Sequence, residues 1–236
     1  MALGVARAGR QALGPAAPTQ QPQPRQLHVL TVVTDAGSEH LQRLTRVAGR
    51  FGHRVDVAVP SGPVSYNAGF GLKLEATHRY LASLAAAEDL VLFVDGYDAV
   101  VAGTAAQIVG RAYLGPAGLL RDLIAANLDF SDPSFVKTDD QHFFHTLLWG
   151  NPAAIQLDYR CQLFTAAFTR ADDLVCTPRG WLNNQTQTYP LVVHHNGHPK
   201  PKLERMLASL EQAGSDMRLV CPADETVAAA AADKPP

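Results

Sequence analysis

Apolar positions along this chain switch repeatedly between a strand-like and a helix-like period. His28-Val29-Leu30-Thr31-Val32-Val33-Thr34 is a β-branched run ending at Asp35-Ala36-Gly37, the pattern of a buried strand entering a turn. Leu41, Leu44, Val47, Ala48 and Phe51 then recur at helical spacing, and Phe51-Gly52 closes that helix. Arg54 to Val59 forms a second strand pattern, stopped by Pro60-Ser61-Gly62-Pro63. Leu72, Ala76, Tyr80, Leu81 and Leu84 mark a second helix. Asp89 to Val94 is a third strand, apolar on both faces as central parallel strands are. This β-α-β-α-β order predicts a doubly wound α/β sheet with its ligand site at the strands' carboxyl ends. No G-x-G-x-x-G follows the first strand and no Walker sequence occurs, so the expected site is not of either fingerprint type.

Composition sharpens the boundaries. Residues 1–26 are rich in Ala, Gln and Pro and contain no acidic residue, which predicts a disordered leader without the apolar core of a secretory signal. The tail from 224 is a second low-complexity end, leaving 27–223 as a single domain. With 20 Lys+Arg against 22 Asp+Glu, the chain has no basic footprint for nucleic acid. No apolar stretch approaches the roughly 20 residues of a membrane span. Three cysteines (Cys161, Cys176, Cys221) without a C-x-x-C argue against a disulfide scaffold or a zinc knuckle.

Three polar segments follow apolar runs and carry the candidate chemistry. In Phe93-Val94-Asp95-Gly96-Tyr97-Asp98, a strand runs out into two carboxylates three residues apart. Mg²⁺ or Mn²⁺ commonly joins such carboxylates to phosphate oxygens, although an acidic turn after a strand has the same pattern. Thr138-Asp139-Asp140-Gln141 opens a helical pattern through Phe143, Phe144, Leu147 and Leu148. There Thr138 is the expected cap, and a carboxylate either complements the helix dipole or turns into a cleft. In Pro190-Leu191-Val192-Val193-His194-His195-Asn196-Gly197-His198-Pro199-Lys200, an apolar strand ends in three imidazoles, an amide and a lysine. Imidazole can complete a coordination sphere, and lysine can neutralise phosphate. Lys73, where a glycine loop enters the second helix, is placed for phosphate at a helix amino end, or is simply a surface lysine.

Taken together, these segments resemble the glycosyltransferase domain of the procollagen lysyl hydroxylases. The resemblance runs from about His28 to about Leu203. It is carried by Val33-Thr34, Gly71-Leu72-Lys73, Phe93 to Asp98, Thr138 to Gln141 with Phe144, and Val192 to Gly197, in the family's order. It implies a GT-A-like fold, a Rossmann-type central mixed sheet flanked by helices. It also implies Mn²⁺ held by Asp95, Asp98 and His194, with Thr34 and Tyr97 at the nucleoside of a UDP-sugar. Lys73 would match a lysine at the nucleotide site, Asn196, Gly197 and Lys200 would approach the diphosphate, and Asp139 and Asp140 would face the transferring sugar. The sugar would be galactose or glucose, the acceptor a hydroxylysine-type hydroxyl on a protein or peptide, and the compartment the endoplasmic reticulum or secretory lumen. The sequon Asn184-Gln185-Thr186 is compatible with that compartment.

The departures define the alternatives. Relatives carry an insert where Arg111-Ala112-Tyr113-Leu114 here runs straight into Gly115-Pro116, so a deletion is expected at 112–115. His195 stands where relatives often have glycine, which predicts crowding of a phosphate contact. Phe164-Thr165-Ala166-Ala167 lacks the amide side chains expected there, and no H-x-D sequence supports 2-oxoglutarate chemistry. Trimming the ends leaves roughly 200 residues, short for a two-part domain of this type. The competing readings are a non-catalytic nucleotide-sugar-binding remnant or partner-binding module, and an unrelated metal-assisted hydrolase.

Overall fold

The computed structural model describes residues 25–65, 67–111, 115–150, 157–166, 174–195, 201–213 and 218–221. The expected leader and tail lie outside these residues, save Arg25 and Gln26, as does the seam at 112–114.

The first half builds the expected alternation. Strand β1 (Leu27–Val32) leads to helix α1 (Glu39–Arg50), then strand β2 (Val55–Ala58), helix α2 (Gly71–Ser83) and strand β3 (Leu90–Phe93). Ser38 caps α1 by accepting the Leu41 N–H at 3.3 Å, and Gly52 ends it with φ +82°, a conformation that suits a residue without Cβ. β1 pairs in parallel with β2 on one side and β3 on the other. The chain therefore reverses direction across the sheet at β1, which opens a crevice beyond the carboxyl ends of β1 and β3.

The second half is less regular. Strand β4 (Ala99–Val101) follows the acidic turn, then helix α3 (Ala105–Arg111), the two-residue strand β5 (Gly115–Pro116) and helix α4 (Ala117–Asn127). A 3₁₀ turn over Pro133–Lys137 precedes helix α5 (Asp140–Gly150). Strands β6 (Phe164–Ala166), β7 (Leu174–Thr177), β8 (Gly180–Asn183) and β9 (Val192–His194) lead to helix α6 (Pro201–Gln212). β5 joins β3 antiparallel, giving a mixed four-stranded sheet in the order β2-β1-β3-β5. A second sheet has the order β4-β9-β6, with β9 antiparallel to β4 and parallel to β6, and β7-β8 is a hairpin.

The protein is one mixed α/β domain whose mixed sheet is flanked by helices. Alternate residues of the main sheet feed opposite cores: Leu30, Val32 and Val91 pack with α2, α4 and α5, while Val29, Leu92 and Val94 pack with α1 and α3. A third core joins α6 to the β7-β8 hairpin through Leu203, Met206, Leu210, Leu174 and Trp181. Arg43 with Glu204, and Arg46 with Glu211 at 3.3 Å, tie α1 to α6.

One disulfide, short of a scaffold, joins two of the three cysteines. Cys176, fully buried in the third core, is bonded to Cys221, with Cα atoms 5.5 Å apart and a sequence separation of 45. Three cysteines without a motif hide such a bridge, because pairing depends on proximity in space and not on spacing. Closing a loop of this length contributes about 2–4 kcal/mol. Cys221→Ser is expected to lower Tm by roughly 5–10 °C, and a thermal melt that reductant leaves unchanged would contradict this.

Candidate metal and nucleotide site

The site grows out of the end of β3. Asp95 Oδ1 accepts the Tyr97 N–H at 3.0 Å, a local turn that short acidic side chains favour. Gly96 makes the turn possible. A Cβ there would lie 2.8 Å from Thr31 Oγ1 and closer still to Val33 Cγ1, both buried at the end of β1. Gly96→Ala is therefore expected to push the acidic turn off β1 and cost about 1–3 kcal/mol, read by urea denaturation. An unchanged midpoint would show that the turn is not seated there.

The turn then enters β4, whose pairing with β9 sets Ala99 opposite His194. The His195 N–H donates to the Asp98 carbonyl at 2.8 Å, and His194 Nε2 lies 3.0 Å from Asp98 Oδ1. In this way an imidazole nearly a hundred positions away reaches the Asp-x-x-Asp turn. Ligand atoms of Asp95, Asp98 and His194 all lie within 4.8 Å of one another. Two carboxylate oxygens and one imidazole nitrogen form a donor set that fits a divalent ion such as Mn²⁺, with coordination positions left for other oxygen ligands.

On one side of this triad, Tyr97 reaches back to β1. Its phenolic oxygen accepts the backbone N–H groups of Thr34 and Asp35 at 3.1 and 3.2 Å and lies 3.2 Å from Thr34 Oγ1. The two expected nucleoside residues are thus joined across the crevice at the topological switch point.

On the other side stands Lys73. Its ammonium lies 2.8 Å from Asp140 Oδ2 and 3.6 Å from Asp95 Oδ2, linking α2, α5 and the acidic turn. Burial lowers its proton affinity, but the Asp140 and Asp95 carboxylates more than offset that and hold its pKa above the ordinary lysine value. The amino end of α2 is not the open phosphate site that the sequence suggested. The Phe70 N–H donates to the Thr138 carbonyl at 2.9 Å, and Gly71 is so close to the Phe135 carbonyl that no Cβ would fit. Lys73, itself in the first turn of α2, acts as a cation between two acids.

The Asp139-Asp140 pair divides its work. Asp139, and not Thr138, caps α5, accepting the His142 N–H at 2.8 Å through Oδ1. Thr138 instead ends the preceding 3₁₀ turn. Both acids line a cavity of about 450 Å³ with Lys73, Asp95, Asp98 and His194. His195 is buried and is not among the described residues that line that cavity. Asn196, Gly197 and Lys200 lie outside the described residues.

Sequence reasoning did not single out Gly96, Phe144 or Phe164 as site-forming. Gly96 carried a signal, since the only residue type without a side chain sits between Asp95 and Tyr97. Phe144 and Phe164 wall the cavity; Phe144 entered only as part of the resemblance, and Phe164 carried no signal beyond its hydrophobicity.

No family model matches this chain. A 68-residue stretch, 29% of the chain, is 35% identical to an uncharacterized protein of Acanthamoeba polyphaga mimivirus. The chain spans about 15% of the length of that relative.

Proposed function

We propose that this protein is a Mn²⁺-dependent glycosyltransferase that moves galactose or glucose from a UDP-sugar to a hydroxyl acceptor. The observation that carries the reading is the convergence of Asp95, Asp98 and His194 beside the Thr34–Tyr97 contact, at the carboxyl ends of parallel strands. Asp95, Asp98 and His194 hold the ion, and Thr34 and Tyr97 form the nucleoside side of the crevice. Mn²⁺, when bound, supplies positive charge at the diphosphate as the sugar–phosphate bond breaks. Lys73 adds a fixed cation to the same wall, in a partly dry setting where charge counts for more than in water. Asp139 and Asp140 border the space left for the sugar.

A binding module without transfer activity is the second reading. It is favoured by the structural duties of both acids, since Asp139 caps α5 and Asp140 is paired with Lys73. The Cys176–Cys221 bond supports a place in an oxidising compartment such as the secretory lumen, and Asn184 of the sequon is exposed. No helix among the described residues is long and apolar enough to cross a membrane.

Calorimetric titration of UDP with and without Mn²⁺ tests the shared premise. Binding should weaken by about 100-fold when EDTA removes the ion. UDP binding that ignores Mn²⁺, or no binding at all, rules out both readings. Consumption of UDP-sugar with transfer to an acceptor selects the enzyme, and binding without transfer selects the module.

A further inference from the structure

A second cavity opens beside the carboxylates, and its chemistry is different. It has a volume of about 410 Å³ and lies between α2, α4, α5 and the β3-β5 edge. Its interior is walled by Leu74, Leu81, Val91, Leu120 and Ile124. It shares Lys73, Phe93, Asp140, Phe144 and Phe164 with the acidic cavity, so the two chambers meet at a common wall. The polar side chains on the apolar chamber are Lys73, Asp140 and Thr77, and Thr77 already donates to the Lys73 carbonyl at 2.8 Å.

We propose that this chamber binds an uncharged alcohol, its aliphatic or aromatic body in the apolar space and its hydroxyl at Lys73 and Asp140. The volume falls in the range of small-molecule sites, which are apolar with a few polar groups fixing orientation. Charge decides the class of ligand. Asp140, the one carboxylate on this chamber among the described residues, is paired with Lys73 at 2.8 Å. A cationic hydroxylysine side chain placed here would face an ammonium group and find no uncommitted acid among the described residues. An uncharged body meets no such penalty and gains from leaving water.

The role as acceptor rests on the glycosyltransferase reading. In that reaction the alcohol oxygen bonds to the anomeric carbon, and the bond from that carbon to the phosphate oxygen breaks. The bonding pair leaves with UDP, and the hydroxyl proton passes to a phosphate oxygen of the departing UDP.

The test is binding of 1-octanol to the full chain, followed by methyl NMR and calorimetry. Shifts at the methyls of Leu74, Leu81, Leu120 and Ile124, with 1:1 stoichiometry, are expected. Leu120→Trp should fill the chamber and weaken octanol binding by about tenfold or more, leaving Mn²⁺-dependent UDP binding within about twofold. If that variant does not fold, Leu120→Ala should instead shift preference toward 1-decanol. Absence of octanol binding, shifts confined to other methyls, or tighter binding of free hydroxylysine at these methyls would each overturn the proposal. Octanol binding in a protein indifferent to UDP would support the chamber while ending the transferase reading, so the two failures are distinguishable.

Discussion

Asp98→Ala is expected to remove Mn²⁺-dependent UDP binding, weakening it by about 100-fold or more, because it deletes a ligand and not merely a supporting contact. The effect converts to a loss of about 2.7 kcal/mol or more in binding free energy. Asp98 sits between the acidic turn and β4, and its carboxylate lies 3.0 Å from His194 Nε2. Losing it therefore removes one donor and also the hydrogen-bond partner that orients a second. Asp98→Asn separates these effects, since the amide keeps the shape and a hydrogen bond to His194 while giving up the charge. That variant should fold with an unchanged urea midpoint and still bind UDP poorly. Calorimetry on both variants reads the outcome, and wild-type affinity in Asp98→Ala would remove the triad from the proposed mechanism.

Lys73→Met carries the second large effect, in two opposite directions. The side chains of Lys73, Asp140 and Asp95 are 15%, 17% and 29% exposed, so the cation is shielded from solvent and its partners are largely so. Breaking such a set from one side leaves uncompensated carboxylates, a change that costs roughly 3 kcal/mol at sites this buried. The pH dependence has a definite sign. A lysine whose folded pKa is raised stabilises the fold fully below its unfolded value of about 10.4 and loses that contribution as pH rises through the folded value. The stability gap between wild type and Lys73→Met should thus be level from about pH 7 to pH 10 and shrink above that range.

The ligand effects distinguish this lysine from a purely structural one. Lys73 lies 3.6 Å from an oxygen of Asp95, where it competes electrostatically with any ion held there. Mn²⁺ alone should bind Lys73→Met about tenfold more tightly than wild type. UDP in the presence of Mn²⁺ should bind it more weakly, since a charge on the diphosphate wall is gone. Equal shifts in the same direction would contradict the placement of Lys73 between metal and diphosphate.

Legibility in the sequence followed the range of the interactions involved. The strands β1, β2 and β3 and the helices α1 and α2 lie within two residues of their sequence-based positions, because each is set by local periodicity and by punctuation such as Phe51-Gly52. The second half resisted the same treatment. β4, β6 and β9 are three residues long and β5 only two, too short to display a period. The 3₁₀ turn at Pro133–Lys137 forms where its carbonyls close the start of α2, a contact between segments some 65 residues apart. Thr138 and Asp139 are both plausible caps by residue type, and only the path of the chain chose Asp139.

The sequence by itself determined the α/β alternation, the crevice at the ends of β1 and β3, and the identity of the acids and imidazole that border it. Those are consequences of local pattern and residue chemistry. The resemblance had already grouped Asp95, Asp98 and His194, but the tertiary structure alone decided that Lys73 is paired with Asp140 and Asp95, that Cys176 is bonded to Cys221, and that an apolar chamber adjoins the acidic one. Each joins residues distant in sequence, so its geometry is fixed by strand register and helix packing and leaves no mark in the spacing of the residues concerned.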